Sequence, residues 1–299
     1  MIQWTQLEPG RLVARRRLLD FGPVVLRLRQ HQTAFKGDGR IAEGQTLFGF
    51  TSGQTPVTRW NGLDVTGDDV ATTRGSIDVF ASAPETLYAI TLCDDAYAQY
   101  RIPHAVREAL ARVPSSPSLV RSAQARYLRS YVRGLMEAGA RPGRVSKAAI
   151  CANVLWLLAA AVGDDGEALE PSRPQSRRLA AVHRCQEYIE RCIGEPVTLP
   201  DLSAVSGLRP RSLINAFEAV TGTSPMAYLR ARRLCRVRSV LENERVAKAR
   251  IIDVATDWGF WHMGHFSSAY RAMFGETPSQ TLTRSRASAG RVPEDARTG

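Results

Sequence analysis

The sequence predicts an α+β fold, with a small antiparallel β-barrel and following helices first and an all-α domain after them. Three features carry this prediction: β-prone runs up to Cys93, helix-forming stretches after Pro103, and a motif that occurs twice beyond residue 177. The 299 residues exceed the ~100–200 residues of a typical domain, so two domains are expected.

Residues 1–102 are predicted to be all-β. Short runs rich in Val, Ile, Thr and aromatic residues alternate with turn residues from about Val13 to Cys93. Asn61 and Gly62 lie between two such runs and predict a type I′ hairpin, because both tolerate a positive φ. Strands this short and this close together favour a small barrel or sandwich.

Residues 103–163 are predicted to be a helical dimerisation region. One stretch has apolar residues at helical spacing, which predicts a single buried face: Leu119, Ala123, Tyr127, Tyr131 and Leu135. Residues 148–162 are apolar almost all round and must be buried, inside their own domain or against a second subunit. Residues 164–177, rich in Gly, Pro, Ser and acids, are a predicted linker, and residues 287–299 are a predicted disordered tail.

The charge favours a polyanionic partner. The formal net charge is +11 and the pI is near 9.9, which suits nucleic acid, although acidic lipid also attracts basic chains. Residues 177–286 hold 17 Arg and Lys against 10 Asp and Glu, so the basic surface belongs mainly to the C-terminal domain. Arginine predominates, and its planar fork suits phosphates and guanine edges.

A pattern of glycines, buried apolar residues and prolines occurs twice in residues 178–286. Tyr270, Gly275 and Pro278 follow Phe217, Gly222 and Pro225 at a constant offset of 53 residues. Each copy predicts a helix, a tight turn at a glycine, a second helix and a glycine stop. Such a helix-turn-helix unit places the N-terminal side chains of its second helix in a DNA major groove. Residues 225–241 between the copies predict a stiff helix that sets their spacing.

The run MAYLRARRLCRVRSVL, followed by IIDVATDWGFWHMGHFSSAYRAMFGETPSQTL, resembles the C-terminal signature of the AraC/XylS family of transcription regulators. The part WGFWHMGHF is most similar to the ethanolamine-operon-regulator subgroup. The resemblance covers roughly residues 179–285. It implies a seven-helix domain, preceded by a cupin-like small β-barrel that binds an effector and by helices that form a dimer.

The resemblance also implies which side chains face DNA. Arg211, Ile214 and Asn215 match base-facing positions of the first reading helix, and five residues from Met263 to Ser268 match those of the second. Arg209 and Pro210 stand where the family often has a Ser cap and a charged residue. The predicted DNA-binding residues are Arg209, Arg211, Ser212, Ile214, Asn215, His262, Met263, Gly264, His265, Ser267, Ser268 and Arg271.

Several residues leave two interpretations open. Arg211 reads a base or holds a phosphate, and Ser267 and Ser268 contact DNA or only permit a close approach. The aromatic residues near Gly259 are predicted to fill the turn: Trp258, Phe260 and Trp261. An arginine row between the copies binds phosphate or forms a solvated face: Arg230, Arg232, Arg233, Arg236 and Arg238.

The predicted function is that of an effector-responsive, sequence-specific transcription regulator, an activator by resemblance. Its expected partners are promoter DNA, RNA polymerase, an unknown small-molecule effector and a second copy of the chain, with no membrane. No cofactor, metal site or catalytic residue is predicted. The five cysteines form no C-x-x-C pair, and the first ten residues lack the order of a secretory signal, so a cytoplasmic location is expected.

Two enzyme classes and one binding class compete with this interpretation. A metal-dependent cupin enzyme needs several histidines and a carboxylate, whereas the β region offers only His31. A DNA-repair methyltransferase needs N-terminal zinc cysteines, and only Cys93 precedes residue 150. An adaptor that binds a protein through its first domain stays open. For the effector, the subgroup suggests an amine or amino-alcohol, while Arg27, Arg29 or Arg59 suits an anion.

Overall fold

A computed structural model describes residues 2–10, 15–53, 57–93, 102–114, 116–137, 146–163, 167–243 and 250–289. They divide into two compact units. The N-terminal unit comprises residues 2–4 and 15–179, and the C-terminal unit comprises residues 5–10 and 180–289. Most of the predicted disordered tail lies outside the described residues, but residues 287–289 belong to the last helix.

The strands form two sheets. They are β1 (Ile2–Gln6), β2 (Arg15–Asp20), β3 (Val24–His31), β4 (Phe35–Arg40), β5 (Gln45–Thr51), β6 (Thr58–Trp60), β7 (Leu63–Asp64), β8 (Val70–Thr73), β9 (Ser76–Ala81), β10 (Glu85–Cys93), β11 (Ser118–Arg121) and β12 (Glu167–Leu169). One sheet has the order β1-β4-β9-β6-β7, and the other has the order β12-β11-β8-β5-β10-β3-β2.

These sheets confirm the α+β class but correct one detail of it. A closed barrel needs hydrogen bonds between all neighbouring strands around its circumference. In the described residues the outer strands of the five-stranded sheet, β1 and β7, pair with neither β2 nor β12 of the other sheet. The N-terminal unit is therefore a cupin-like pair of sheets that is not closed into the predicted barrel.

The alternation of side chains along β3 explains how both sheet faces are covered. Val24, Leu26 and Leu28 are buried in a core that the following helices share, while the residues between them point toward the other sheet. The hairpin between β6 and β7 is as predicted: Asn61 and Gly62 have φ of 49° and 79°, and Trp60 pairs with Leu63.

Three helices follow β10, with β11 between the first two: α1 (His104–Ala111), α2 (Ala123–Glu137) and α3 (Lys147–Gly163). The predicted apolar face of the α2 region is only partly right: Tyr131 and Leu135 pack against the core. Leu119, however, lies in β11, and Tyr127 is 70% exposed. Ser122 fixes the start of α2, since its Oγ accepts a hydrogen bond from Ala125 N at 3.0 Å. The buried face is instead formed by Ala125, Leu128, Arg129, Val132 and Met136.

The predicted linker contains regular structure. Residues 164–166 lie outside the described residues, but β12 pairs with β11, and α4 (Arg173–Arg191) begins before residue 177. Sequence composition does not detect this strand, because its three residues gain their hydrogen bonds from a partner far away in the chain.

The C-terminal unit is helical. After α4 come α5 (Leu199–Ser206), α6 (Pro210–Thr221), α7 (Pro225–Leu241), α8 (Ile251–Asp257), α9 (Met263–Phe274) and α10 (Pro278–Ala289), which makes seven helices with α4 in the described part. The helix α7 packs against α5, α6, α8, α9 and α10, so one helix supports both copies of the repeat. In the second copy it contributes Leu234, Val237 and Leu241 to a shared apolar core.

An N-terminal segment completes this unit. The side chain of Gln6 donates to Met273 O at 2.9 Å, and Gly10 N donates to the same carbonyl at 2.9 Å. Arg232 Nη1 donates to Thr5 Oγ1 at 2.6 Å. No helix among the described residues has the length and apolarity needed to cross a membrane.

Candidate nucleic-acid interface

The first repeat copy is a helix-turn-helix whose boundaries are set by local signals. Thr198 caps α5: its Oγ1 accepts from Asp201 N, and Asp201 Oδ2 accepts from Thr198 N at 2.8 Å. The helix ends at Gly207, whose φ of 72° is the left-handed conformation that glycine adopts at no steric cost. Pro210 then occupies the first position of α6, where its missing N–H costs nothing.

The second helix of this copy has one buried and one open face. Leu213 and Phe217 are fully buried, as predicted, and the Phe217 ring packs against Tyr228 of α7 at 5.8 Å between centroids. On the open face Arg211 and Asn215 are exposed and lie one turn apart, so they project in the same direction. Among the other predicted DNA-binding residues of this copy, Arg209 and Ser212 are exposed and Ile214 is half-buried.

The second copy turns at Gly259, and the structure explains why this residue is a glycine. Its φ is 76°, and a Cβ there would lie 2.8 Å from Cζ of Arg233. Arg233 is fixed beneath the turn, because its Nε donates to Ile193 O at 2.7 Å and its Nη2 donates to Glu195 O. The turn, α7 and the loop before α5 are thereby joined through one guanidinium group.

The helix α9 also separates a buried face from an open one. Phe266 and Tyr270 are buried as predicted, and the Tyr270 hydroxyl hydrogen-bonds Thr281 Oγ1 at 2.9 Å. Burial raises the pKa of Tyr270 to about 12. Of the predicted DNA-binding residues, Met263 is half-buried and packs against this core. The others are exposed: His262, Gly264, His265, Ser267, Ser268 and Arg271.

The N-terminal ends of both second helices have the electrostatic character that suits an anion. The first turns of α6 and α9 contain no acidic residue, so the positive end of each helix dipole is not neutralised there. Arg209 precedes α6 and makes no side-chain cap. The geometry therefore offers, in each copy, backbone N–H groups and polar side chains on one open face, which is the surface that a reading helix needs.

The arginine row on α7 is mostly structural. Arg232 and Arg238 are buried, and Arg232 and Arg236 bind the two carboxylate oxygens of Glu190 at 2.5 Å each. Burial raises the pKa of Glu190, but the two arginines lower it more, so it lies below its usual range. Of the row, Arg230 alone is exposed.

Trp261 is a surface residue, which corrects the prediction that it fills the turn. Its side chain is 62% exposed, while Trp258 and Phe260 are half-buried against the core of the second copy. The Trp261 ring lies at the side of an open groove with Met226 and Arg230 of α7. The spacing of aromatic residues does not reveal this difference, because spacing alone does not say which of three neighbouring aromatic residues near a turn is covered.

The histidines of the second copy lie near each other. The rings of His262 and His265 have centroids 6.2 Å apart. Within the described ranges no group of three or more His, Cys, Asp or Glu residues is placed to hold a metal ion.

Comparison with known proteins gives matches for this region. Residues 202–284 match the family model of a helix-turn-helix domain. The XylDLEGF operon transcriptional activator 2 of Pseudomonas putida is 42% identical over 100 residues, which are 33% of this chain and 64% of that protein. The probable thc operon regulatory protein of Rhodococcus erythropolis is 33% identical over 113 residues, 38% of this chain and 32% of that protein. The chain thus matches less than two thirds of the length of these relatives.

Solved structures give similar matches. A probable AraC family transcriptional regulator from Rhodopseudomonas palustris is 38% identical, with a TM-score of 0.34, over 36% of this chain and 97% of that one. The AraC-like transcriptional activator CuxR is 12% identical, with a TM-score of 0.42, over 86% of this chain and 91% of that one.

Proposed function

The C-terminal part of this chain belongs to the AraC/XylS family of DNA-binding transcription regulators, and from this premise we propose that the whole chain is an effector-responsive activator. The observation that carries the proposal is the doubled helix-turn-helix with two open helix faces, supported by one helix, α7. Two such faces on one chain suit adjacent major-groove segments about one helical turn, ~34 Å, apart.

The roles of individual side chains follow from their chemistry. Arg211 suits the O6 and N7 acceptors of guanine, and Asn215 suits adenine. Arg209 and Arg271, both exposed, suit phosphates on either side of a reading helix. Ser267 and Ser268 provide small hydroxyl groups that reach phosphate or base without blocking close approach. His265 is assigned to the DNA-facing surface rather than to a metal site.

Activation, the effector and the partners are parts of the same proposal. The relatives named above include an operon activator, and RNA polymerase at a promoter is the partner that we propose for activation. A small molecule that binds the N-terminal unit would change the balance between two domain arrangements and thereby the affinity for DNA. The narrower resemblance to ethanolamine-operon regulators rests on the run WGFWHMGHF alone, which is not part of the N-terminal unit. Because the proposed partner is promoter DNA, the location that we propose for the chain is the cytoplasm.

A homodimer through α2 and α3 belongs to the proposal as well. The two helices pack together and leave Tyr127 and Trp156 exposed by 70% and 63%. Large exposed aromatic side chains of this kind are typical of protein interfaces. Light scattering on the purified chain at micromolar concentration is expected to give the mass of two chains, and Trp156→Glu is expected to give the mass of one. A monomer in both cases would contradict this part.

The experiment that tests the DNA-binding part is selection of bound fragments from a random duplex library at a fixed salt concentration. Two short motifs about one helical turn apart are the expected result. If no motif is recovered and the affinity collapses as salt rises, the chain binds DNA only through its charge, and the adaptor function becomes the better account.

A further inference from the structure

A cavity of about 630 Å³ lies between the two sheets of the N-terminal unit. Its apolar wall includes Leu47, Trp60, Ile77, Val79 and Leu87. The volume falls within the ~300–1,000 Å³ of small-molecule sites, whose walls are mostly apolar with a few polar groups.

Two glycines leave the room that the tryptophan rings of the cavity occupy. A Cβ on Gly49 would overlap the ring of Trp60, and a Cβ on Gly37 would lie 2.6 Å from Cζ3 of Trp4. The Trp60 ring therefore lies against Gly49 of the facing sheet, and the Trp4 ring lies against Gly37 of its own sheet. The space between the sheets is left open by this arrangement rather than filled by the largest side chains of the unit.

The polar part of the wall is cationic. Five arginines line the cavity, and among its described lining residues there is no Asp or Glu: Arg16, Arg17, Arg27, Arg29 and Arg40. Two of them are held by neutral acceptors, since Arg17 Nη1 donates to Met136 O and Arg27 Nη1 donates to Thr91 Oγ1, both at 2.5 Å. Arg59, another predicted ligand of an anion, does not line the cavity and pairs with Asp64 at 3.1 Å.

Arg29 is an arginine of this group whose side chain lies against an aromatic ring. It is half-buried, its guanidinium lies 4.2 Å from the ring centroid of Trp4, and it forms no ion pair within the described residues. Its register partner on β2 is Arg16, and like charges in opposite positions repel. Burial and Arg16 lower the pKa of Arg29 to about 10, so the group stays charged at neutral pH.

His31, on the same strand, is affected by the same positive charges. It is buried, and neither ring nitrogen has a hydrogen-bond partner within the described residues. Burial, Arg29 and Arg16 together lower its pKa to about 3, so the imidazole is neutral. An uncompensated half-buried cation is costly, and a bound anion would remove that cost.

We propose that this cavity binds a small organic carboxylate with an apolar body, its head on Arg29 and Arg16 and its body against Trp60 and Ile77. This proposal names the chemical class of the effector in the proposed function, and it rests on that function. A charge-assisted pair with arginine gives the carboxylate both affinity and orientation, while an amine in the same place would meet like charge. The amine or amino-alcohol suggested by the sequence does not suit this wall.

Calorimetric titration of the full chain with decanoate and 2-naphthoate tests the ligand class, with decanol and 2-naphthol as neutral analogues. At least one carboxylate is expected to bind at least tenfold more tightly than its analogue. Arg29→Gln is expected to reduce that affinity at least tenfold, and Arg29→Lys is expected to retain part of it. The matched control Arg59→Gln, outside the cavity, is expected to leave it unchanged, and thermal unfolding checks that each variant is folded.

Three results would overturn the inference: neither carboxylate binds, the neutral analogue binds as well as the acid, or Arg59→Gln weakens binding as much as Arg29→Gln. DNA binding, measured separately on fragments recovered from the random library, distinguishes the two proposals. Loss of specific DNA binding with carboxylate binding intact would refute the proposed function alone. Specific DNA binding without carboxylate binding would refute the ligand class alone.

Discussion

Arg211 is the residue whose interaction with DNA is most open to a direct test. It is exposed near the start of α6, one turn before Asn215. We expect Arg211→Ala to weaken binding to the selected site by about 1–3 kcal/mol and to relax the preference at one base pair, because a bidentate contact to guanine is lost. The measurement is a titration of the cognate site and of single-base variants.

The control for this change is Arg126→Ala, which removes an arginine of α2 that is also exposed. It lowers the net charge by the same amount and is expected to leave the base preference intact. If Arg211→Ala weakens all sequences alike, Arg211 holds a phosphate and does not read a base.

Gly264 tests whether the backbone of α9 lies close to DNA. A Cβ at this position has no neighbour within 4 Å, so Gly264→Ala is sterically free and should stabilise the helix by about 0.5 kcal/mol. Because Gly264 matches a base-facing position, we expect the same change to lower DNA affinity about tenfold. Gly134→Ala in α2, also without a neighbour, is the control that should gain stability alone. Unchanged DNA affinity in Gly264→Ala would show that the helix stays farther from the groove.

At the scale of elements, substitutions at the helix caps are expected to change the free energy of unfolding and the affinity for DNA separately. Thr198 caps α5 with its side chain, whereas Arg209 stands at the cap of α6 and forms no such bond. We expect Arg209→Ser to raise the free energy of unfolding by about 0.5–1 kcal/mol and to weaken DNA binding, because a cap replaces a phosphate contact. Chemical denaturation and DNA titration measure the two effects.

Thr198→Ala is the opposite case. It should cost about 1 kcal/mol of stability and leave the affinity of the folded chain for DNA unchanged, since α5 braces the reading helix without reading bases. If Arg209→Ser binds DNA as well as the original chain, the arginine has no role in binding.

The ion pair between α4 and α7 predicts a pH dependence. Arg232 and Arg236 hold the pKa of Glu190 below its usual range in the folded state, despite burial. This stabilisation is therefore complete above the ordinary pKa of a glutamate and is lost as the pH falls through the folded-state value. Glu190→Gln should be less stable than the original chain at pH 7 and should lose less stability on acidification.

Thermal unfolding between pH 7 and pH 3 measures this difference. Glu187→Gln, an exposed change on the same helix, is the matched control and should follow the original chain. Parallel stability curves for Glu190→Gln and the original chain would show that the pair does not couple protonation to folding.

The elements that the sequence predicts well are those with local signals. Gly207, Gly259, Pro210 and Pro225 mark helix ends by backbone conformation alone, and each lies where it was expected. The strands β4 and β12 are not predicted from the sequence. In β4, Gly37 and Gly39 lower the strand propensity. In β12, the hydrogen bonds come from β11, which is far away in the sequence. Tyr127 follows helical spacing but lies on the outer face, since spacing fixes a face without saying which one is covered.

The candidate site shows the same division at the scale of the molecule. The open faces of α6 and α9 follow from the repeat, because the buried residues of each helix determine what is left outside. The cationic cavity does not follow, because its arginines come from β2, β3 and β4, and only the two facing sheets bring them together. The structural role of Arg232 was hidden for the same reason, because its partner Glu190 lies on another helix. Arg238 pairs with Glu242 at the end of its own helix and also with Glu276 from another segment.

The central claim is that both repeat copies read DNA at once. Hydroxyl-radical footprinting of the full chain on a selected fragment tests it most directly. The expected result is two protected groove segments about 10 base pairs apart, with Ser268→Glu in α9 removing one of them, because a carboxylate there would repel phosphate. A single protected segment that Ser268→Glu leaves unchanged would contradict the account.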